Sequence, residues 1–518
     1  MSEAHHILLF PFPAYGHIRP ICALAGRLAA AQDDVTITIF TSPNWLRATQ
    51  NDIFAQFLEG DKTLERIRVV SLFDSSETEL FVMIPQAIQH FPAAYQTLLL
   101  AAPITCATTK HTFPAVPPPS AVILDVFALA PMQAARSLSG TTIPIFTFMC
   151  GPSAAHISMF GPEAIGGRAE LFGRIEDEAK RVGKPAEEVA DAIWNHTEGK
   201  VISIPGVPPM YDYERNAQTA LEGPVGSLLL NANKMLLESE GLLTGTTPVY
   251  DGASYAAFEG FMRDTLKKAV YDVGPLLPPA YGAMKPKGDT APSGVEAGIA
   301  EFLDGVRNKY GERSMLFISF GTVFWPKLAT QVEDLVDVLI EKEFPFFLCH
   351  ASPMAVIPEP LLGKIKASGI GMTSPWAPQH SILTHPVTGW FLTHGGHGGV
   401  MEAIASGVPM ICWPFEADQP IAAQHLSKNL NVAFHLIQVR TGKGLQPMYD
   451  GTTASGTREA MQAELGSVLD ECRGAVGQEK RRNVGRVWGD LEKVWEEGEG
   501  GTSRRAVLRF LGDVSRKG

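Results

Sequence analysis

What this chain lacks narrows it before anything it contains. No segment reaches ~18 uninterrupted apolar residues, the length a helix needs to cross a bilayer, so no membrane span is expected. The amino terminus has neither a cationic start nor a cleavable apolar run, so it does not read as a secretory leader, and a cytoplasmic protein is expected. Cysteine is sparse. Cys22, Cys106, Cys150, Cys349, Cys412 and Cys472 stand far apart and form no C-x-x-C, which argues against a zinc site or a disulfide framework and for free thiols in a reducing compartment. Positive charge is also short: 43 Lys and Arg face 55 Asp and Glu, for a net charge of −12, and no basic stripe is interleaved with aromatics. Affinity for a phosphate backbone needs clustered cations, so nucleic acid is not an expected partner. No D-x-D motif or carboxylate cluster offers a divalent metal a place, and His5, His6, His380 and His385 lack metal-ligand spacing. Neither metal nor cofactor is expected. Asn195-His196-Thr197 is a formal glycosylation sequon, which without secretion reads as chance.

What remains is a globular composition, 45% apolar and 19% charged, over 518 residues. That length exceeds one hydrophobic core, so two domains are expected. Short apolar runs at 6–11, 35–40, 121–125, 143–149, 315–320 and 346–349 read as buried parallel strands. Leu228-Leu229-Leu230-Asn231 reads as another strand. Helical periodicity over 18–31, with Pro20 tolerated in the first turn, makes the opening a β-α-β unit and predicts a doubly wound sheet. Charged helical stretches at 176–181 and 187–194 are followed by Pro205-Gly206-Val207-Pro208-Pro209. A Pro-, Gly- and Lys-rich stretch to about 294 reads as a linker. The second half opens with a helix near Val295 and carries a further helix over 331–342.

The densest information lies between Trp376 and Gln419. It holds W-A-P-Q, then a short strand at 387–393, then His394-Gly395-Gly396-His397-Gly398-Gly399, then a helix over 400–406 stopped by Gly407 and Pro409, and finally Asp418-Gln419. A glycine-rich strand-to-helix turn aims free backbone N–H groups above the helix start, where the helix dipole adds positive potential; such a site favours phosphate. His394 can hydrogen-bond a phosphate oxygen, Glu402 can accept two ribose hydroxyls, and Trp376 offers a flat face for a base. This stretch resembles the signature of the family-1 nucleotide-sugar glycosyltransferases, best known from plant secondary-product enzymes, with Trp376, Pro378, Gln379, His394, Gly396, Glu402, Gly407, Val408, Pro409, Asp418 and Gln419 at the family's positions. The resemblance implies that Trp376, with Ala377 beside it, meets the uracil, that Gln379 and Glu402 hold the ribose, that His394 contacts the diphosphate, and that Asp418 and Gln419 bind the sugar hydroxyls. Plant members carry Trp-Asn-Ser where this chain has His397-Gly398-Gly399, so Gly398 and Gly399 offer phosphate only backbone N–H groups.

The resemblance further implies the GT-B arrangement: two Rossmann-like, doubly wound α/β domains facing a cleft. Val273-Gly274-Pro275-Leu276-Leu277-Pro278-Pro279 resembles the family's domain boundary. The expected division is an acceptor-binding domain over 1–277, a linker over 278–294, a UDP-sugar-binding domain over 295–495, and a terminal helix over 496–518 that returns to the first domain. His17, in the turn after the first strand, and Asp125, ending another strand, lie at the carboxyl edge of the sheet, where ligand crevices form. A neutral imidazole can take a proton from an acceptor hydroxyl, and a carboxylate on its other nitrogen fixes the tautomer; the family uses such a dyad. Ser319 and Thr322 resemble its other phosphate-side turn. Phe81, Met83, Phe148, His156, Met159, Phe160 and Trp194 are apolar or aromatic candidates for an acceptor pocket, and His350 for a pocket wall. The expected reaction is inverting, metal-independent transfer of a sugar, glucose by resemblance at Gln419, from a UDP-sugar to a small organic acceptor. A nucleotide-sugar epimerase or hydrolase of the same fold, a glycan-extending transferase and a non-catalytic sensor are the alternatives.

Overall fold

The computed structural model describes residues 5–77, 80–218, 223–278, 281 and 294–516. Most of the expected linker, including 282–293, lies outside the described residues, as does the side chain of Phe81. Two all-parallel sheets organise the rest. The first contains β1 (His5–Phe10), β2 (Val35–Thr41), β3 (Ile67–Ser71), β4 (Ala121–Asp125), β5 (Ile145–Met149), β6 (Gly241–Thr244) and β7 (Ala269–Asp272), in the order β7-β6-β5-β4-β1-β2-β3. The second contains β8 (Met315–Ser319), β9 (Phe346–Cys349), β10 (Gly371–Ser374), β11 (Thr388–Thr393), β12 (Met410–Cys412) and β13 (Ala433–His435), in the order β10-β9-β8-β11-β12-β13. The chain therefore folds as α/β with two doubly wound, Rossmann-like units in the GT-B manner.

These strands form because both faces are covered by helices, which requires near-continuous apolar residues rather than alternation. Every residue of β4, β5, β8 and β11 is buried. Strand order then fixes where a ligand sits. In the first sheet the chain runs outward from β1 through β2 and β3, then returns to lay β4 on the other side of β1, with Leu9 opposite Ile123 and Phe10 opposite Leu124. In the second it runs from β8 to β9 and β10, then returns to β11, with Ser319 opposite Thr393. Each reversal opens a crevice beyond the carboxyl ends of the two strands. His17 and Asp125 lie at the first, Ser319 and His394 at the second.

One element differs from the sequence reading. Leu228-Leu229-Leu230-Asn231 is not a strand but part of the helix Val225–Glu238. Its buried positions, Gly226, Leu229, Leu230, Ala232, Met235 and Leu236, follow helical spacing, and the sheet strand is instead β6, just downstream. A four-residue apolar run has too few positions to separate the two periods. The signature helix also starts earlier than its apolar residues indicate, at His397. Gly398 and Gly399 are thus in its first turn, among the N–H groups that have no partner within the helix.

The terminal helix, Thr502–Ser515, lies on the first sheet: Phe510 meets Phe146 edge-on at 5.0 Å and Tyr271 at 5.3 Å, and the Tyr271 hydroxyl donates to Asp513 at 2.9 Å. No helix among the described residues is long and apolar enough to cross a membrane.

Candidate active site

The crevice of the first sheet is built around His17. The first helix, Tyr15–Ala31, starts two residues before it, so the imidazole projects from the first turn. Its Nδ1 lies 2.7 Å from Asp125 Oδ2. Asp125 is fully buried, and its other oxygen accepts the Phe127 backbone N–H at 3.1 Å. An ionised carboxylate only accepts, so Nδ1 carries the proton and neutral His17 has Nε2 as its basic nitrogen. Burial is the largest influence on the His17 pKa and lowers it, but the Asp125 charge, Cys150, whose Sγ is 3.5 Å from Nδ1, and the hydrogen bonds to both together outweigh it and hold the imidazole well above its ordinary value. Phe12 and Phe127 stand 5.5 Å from the imidazole and 5.4 Å from each other, all centroid to centroid. These two half-buried rings form an aromatic wall beside the imidazole. The sequence reading missed both, although each lies within five residues of His17 or Asp125 at a strand end.

The crevice of the second sheet holds the signature. Trp376 is 56% exposed, an unusual state for so large an apolar ring and a free face for stacking. Ala377 is buried next to it, and Ser374 donates to the Trp376 carbonyl at 2.5 Å. Glu402 is buried on the signature helix, with Gln379 Nε2 donating to its Oε2 at 2.5 Å. His394 is wedged between glycines: a Cβ at Gly321, where φ is +76°, would stand 2.8 Å from the ring, and one at Gly396 would stand 2.5 Å away. Burial lowers the His394 pKa to about 4, with the Ser319 backbone offsetting part of this, so it is a neutral hydrogen-bonding group rather than a cation. The Ser319 hydroxyl accepts from the Gly321 N–H at 3.3 Å, with Thr322 half-buried in the same turn. Gly398 is exposed and a Cβ there would meet open space, so the room above the helix start is there for a ligand.

The loop after β12 brings the sugar-side pair over this helix. Burial raises the Asp418 pKa to about 6, while its own backbone N–H and the His17 charge across the cleft pull it down. Gln419 is buried, and its Oε1 accepts the Phe415 N–H at 2.9 Å, so its amide nitrogen is the part left to meet a ligand. The same loop is braced from the first domain, where the Gln218 N–H donates to the Phe415 carbonyl at 2.9 Å. His397, in the position of the plant Trp, has its pKa lowered by burial to about 4, with the Gly245 backbone of the first domain offsetting part of this.

The expected acceptor residues divide. His156 is buried, with Nε2 3.5 Å from the Cys150 carbonyl and Nδ1 unpartnered, close enough to His397 to feel its charge. Phe148, Phe160 and Trp194 are buried in packed apolar clusters. Phe148 packs on β5 among the core of the first sheet. Phe160 and Trp194 stack on the two sides of Phe172, at 6.2 and 5.8 Å, inside a separate apolar cluster. Met83 is likewise core, beside Phe91. Apolar character alone cannot tell a lining residue from a packed one. Among the described residues no three His, Cys, Asp or Glu side chains are grouped to hold a metal ion.

Comparison with known proteins agrees with this geometry. Residues 300–445 match the family "UDP-glucoronosyl and UDP-glucosyl transferase". The chain is 27% identical to the UDP-glycosyltransferase eriJ of Hericium erinaceus over 98% of its own length and 99% of that protein's. It is 24% identical to UDP-glucose flavonoid 3-O-glucosyltransferase 6 of Fragaria ananassa, over 99% of each. Among solved structures, a transferase from Siraitia grosvenorii in complex with UDP superposes with a TM-score of 0.68 at 20% identity, over 98% of this chain and 99% of that one. The donor signature, the family match over 300–445 and the full-length likeness agree: the chain is similar throughout to UDP-glycosyltransferases, enzymes that move a sugar from a UDP-sugar to an acceptor.

Proposed function

We propose that this enzyme transfers glucose from UDP-glucose, with inversion and without a metal, to a hydroxyl of a small aromatic or apolar acceptor, using His17 as general base. The observation that carries this reading is the 2.7 Å His17–Asp125 pair at the switch point of the first sheet, with Asp418 across the cleft close enough for the His17 charge to lower its pKa. His17 Nε2 takes the acceptor proton while Asp125 stabilises the imidazolium that forms. The oxygen attacks the anomeric carbon on the face opposite UDP, so one displacement turns an α-linked donor into a β-glycoside. Negative charge growing on the leaving diphosphate meets the first-turn N–H groups of the signature helix and His394. Asp418 accepts from neighbouring sugar hydroxyls, and Gln419 adds an amide donor.

The aromatic wall of Phe12 and Phe127 favours a flat acceptor. Two relatives support that class by analogy: the Fragaria enzyme is named for a flavonoid, and a Phytolacca americana structure, with a TM-score of 0.64, holds pterostilbene. The six unpaired cysteines support a reducing, cytoplasmic setting. The decisive experiment offers UDP-glucose, UDP-galactose, UDP-xylose, UDP-glucuronate and UDP-N-acetylglucosamine together at equal concentration, with a phenolic panel, with and without EDTA. A β-glucoside formed equally in both supports every part. Preference for another sugar overturns glucose alone, loss of activity in EDTA restored by Mg²⁺ overturns metal independence, and free sugar or an epimer as sole product overturns transfer.

A further inference from the structure

The carboxylate assigned to the ribose is already occupied. Glu402 Oε1 lies 2.7 Å from Arg19 Nη1 and accepts the Tyr281 hydroxyl at 3.2 Å, while Oε2 is held by Gln379. Arg19 belongs to the other domain; it follows His17 by two residues on the first helix. Its guanidinium therefore reaches across the cleft and stands on the oxygen a ribose hydroxyl would use. The Glu402 side chain is only 2% exposed, so it cannot serve both partners by turning to solvent.

A second acceptor stands on Arg19's own side. Asp52, on the helix Pro43–Phe54, has Oδ1 3.7 Å from Arg19 Nε and receiving the Tyr15 hydroxyl at 3.5 Å. Its Oδ2 is buried and has no hydrogen-bond partner. Burial raises the Asp52 pKa to about 6; the long ion pair to Arg19 and the Tyr15 hydroxyl offset part of this, while the Glu402 charge adds to it. The Tyr15 ring, 5.4 Å from the guanidinium carbon, lies beside the path between the two acids.

We propose that Arg19 competes with the donor's ribose for Glu402 and shifts to Asp52 when the donor binds. The proposal rests on the reading of Glu402 as the ribose acceptor. Arg19 thus sets donor affinity: its ion pair with Glu402 joins the two domains, and each binding event must first displace it. A guanidinium moved from one carboxylate to another keeps a charge-assisted partner in both states, so the exchange costs little and reverses readily.

Calorimetry with UDP and with 2′,3′-dideoxyuridine diphosphate, which lacks the ribose hydroxyls, tests this on the whole chain. Arg19→Ala is expected to tighten UDP by about tenfold, the effect of one competing charge-assisted contact, and to leave the dideoxy ligand unchanged. Asp52→Asn is expected to weaken UDP several-fold with Arg19 present and to have no effect in the Arg19→Ala background. Weaker or unchanged UDP binding in Arg19→Ala overturns the competition, as does an equal gain for both ligands or an Asp52→Asn effect independent of Arg19. If wild-type protein binds the two ligands equally, the ribose assignment of Glu402 itself fails, and the proposal falls with it. Should Arg19→Ala not fold, Arg19→Gln, which keeps most of the side chain's length, carries the same expectations.

Discussion

At the scale of single residues, the site is a set of groups whose protonation is fixed by what surrounds them. His17 is held above the ordinary imidazole range by Asp125, whereas His394 and His397 are lowered to about 4 by burial. A base is active only when unprotonated, so kcat/KM should rise with pH along a limb whose midpoint lies above 6.5. Asp125→Asn removes the charge that raises His17; its limb should move to lower pH while its plateau falls. A pH–rate profile with an unmoved midpoint would show that Asp125 does not govern the base. His17→Ala should cost roughly 10²–10⁴ in kcat with UDP affinity nearly intact, measured by steady-state kinetics beside calorimetry; wild-type kcat in that variant would remove His17 from the chemistry. His17, Asp125 and the signature residues were legible because each sits at a strand end or turn that announces itself locally. Arg19 and Tyr281 were not, because an ion pair or hydrogen bond between distant segments leaves no spacing to read. Phe148, Phe160 and Trp194 sit in packed apolar clusters, and aromatic identity, shared by cores and pockets, gave no way to place them.

At the scale of elements, the turn from β11 into the signature helix shows how tightly backbone and ring are matched. A Cβ at Gly396 would stand 2.5 Å from His394 Nε2, and Gly321 closes the other side of the ring. Gly396→Ala must therefore displace the imidazole or the turn. The expected result is UDP affinity lower by about tenfold, with a stability loss of ~1–3 kcal/mol from overpacking, checked by calorimetry and thermal melting. Unchanged UDP affinity would mean that His394 does not meet the diphosphate. Parallel strands and the helices between them were readable wherever apolar runs were bounded by turn residues. The error at 228–231 arose where a helix presents three consecutive leucines, and the signature helix began early because its first turn is Gly-rich and carries no apolar marker.

At the scale of the whole molecule, the doubly wound plan was visible in the sequence, while the contacts between its halves were not. Tyr213, Glu214, Ala217 and Gln218 bond to backbone of the segment 415–449, so the part of the first half that departs most from a regular β-α pattern also steadies the loop of Asp418 and Gln419. The terminal helix does comparable work on the far side of the first sheet. Phe510→Ala, which empties a fully buried site between Phe146 and Tyr271, should cost ~3–5 kcal/mol, and a melting curve resolving two transitions should show the loss in the first domain alone. A shift in the second transition instead would place the helix's stabilising contacts elsewhere. Because the chain leaves the first domain after β7 and comes back before Trp495, whose indole N–H donates to the Pro275 carbonyl at 2.9 Å, the two halves are sewn together twice. A body tethered at one point can tumble freely about it, whereas a second crossing limits how far the halves can part or turn. Whatever loosens the Trp495–Pro275 contact would therefore let the halves drift out of alignment without touching a single residue of the site.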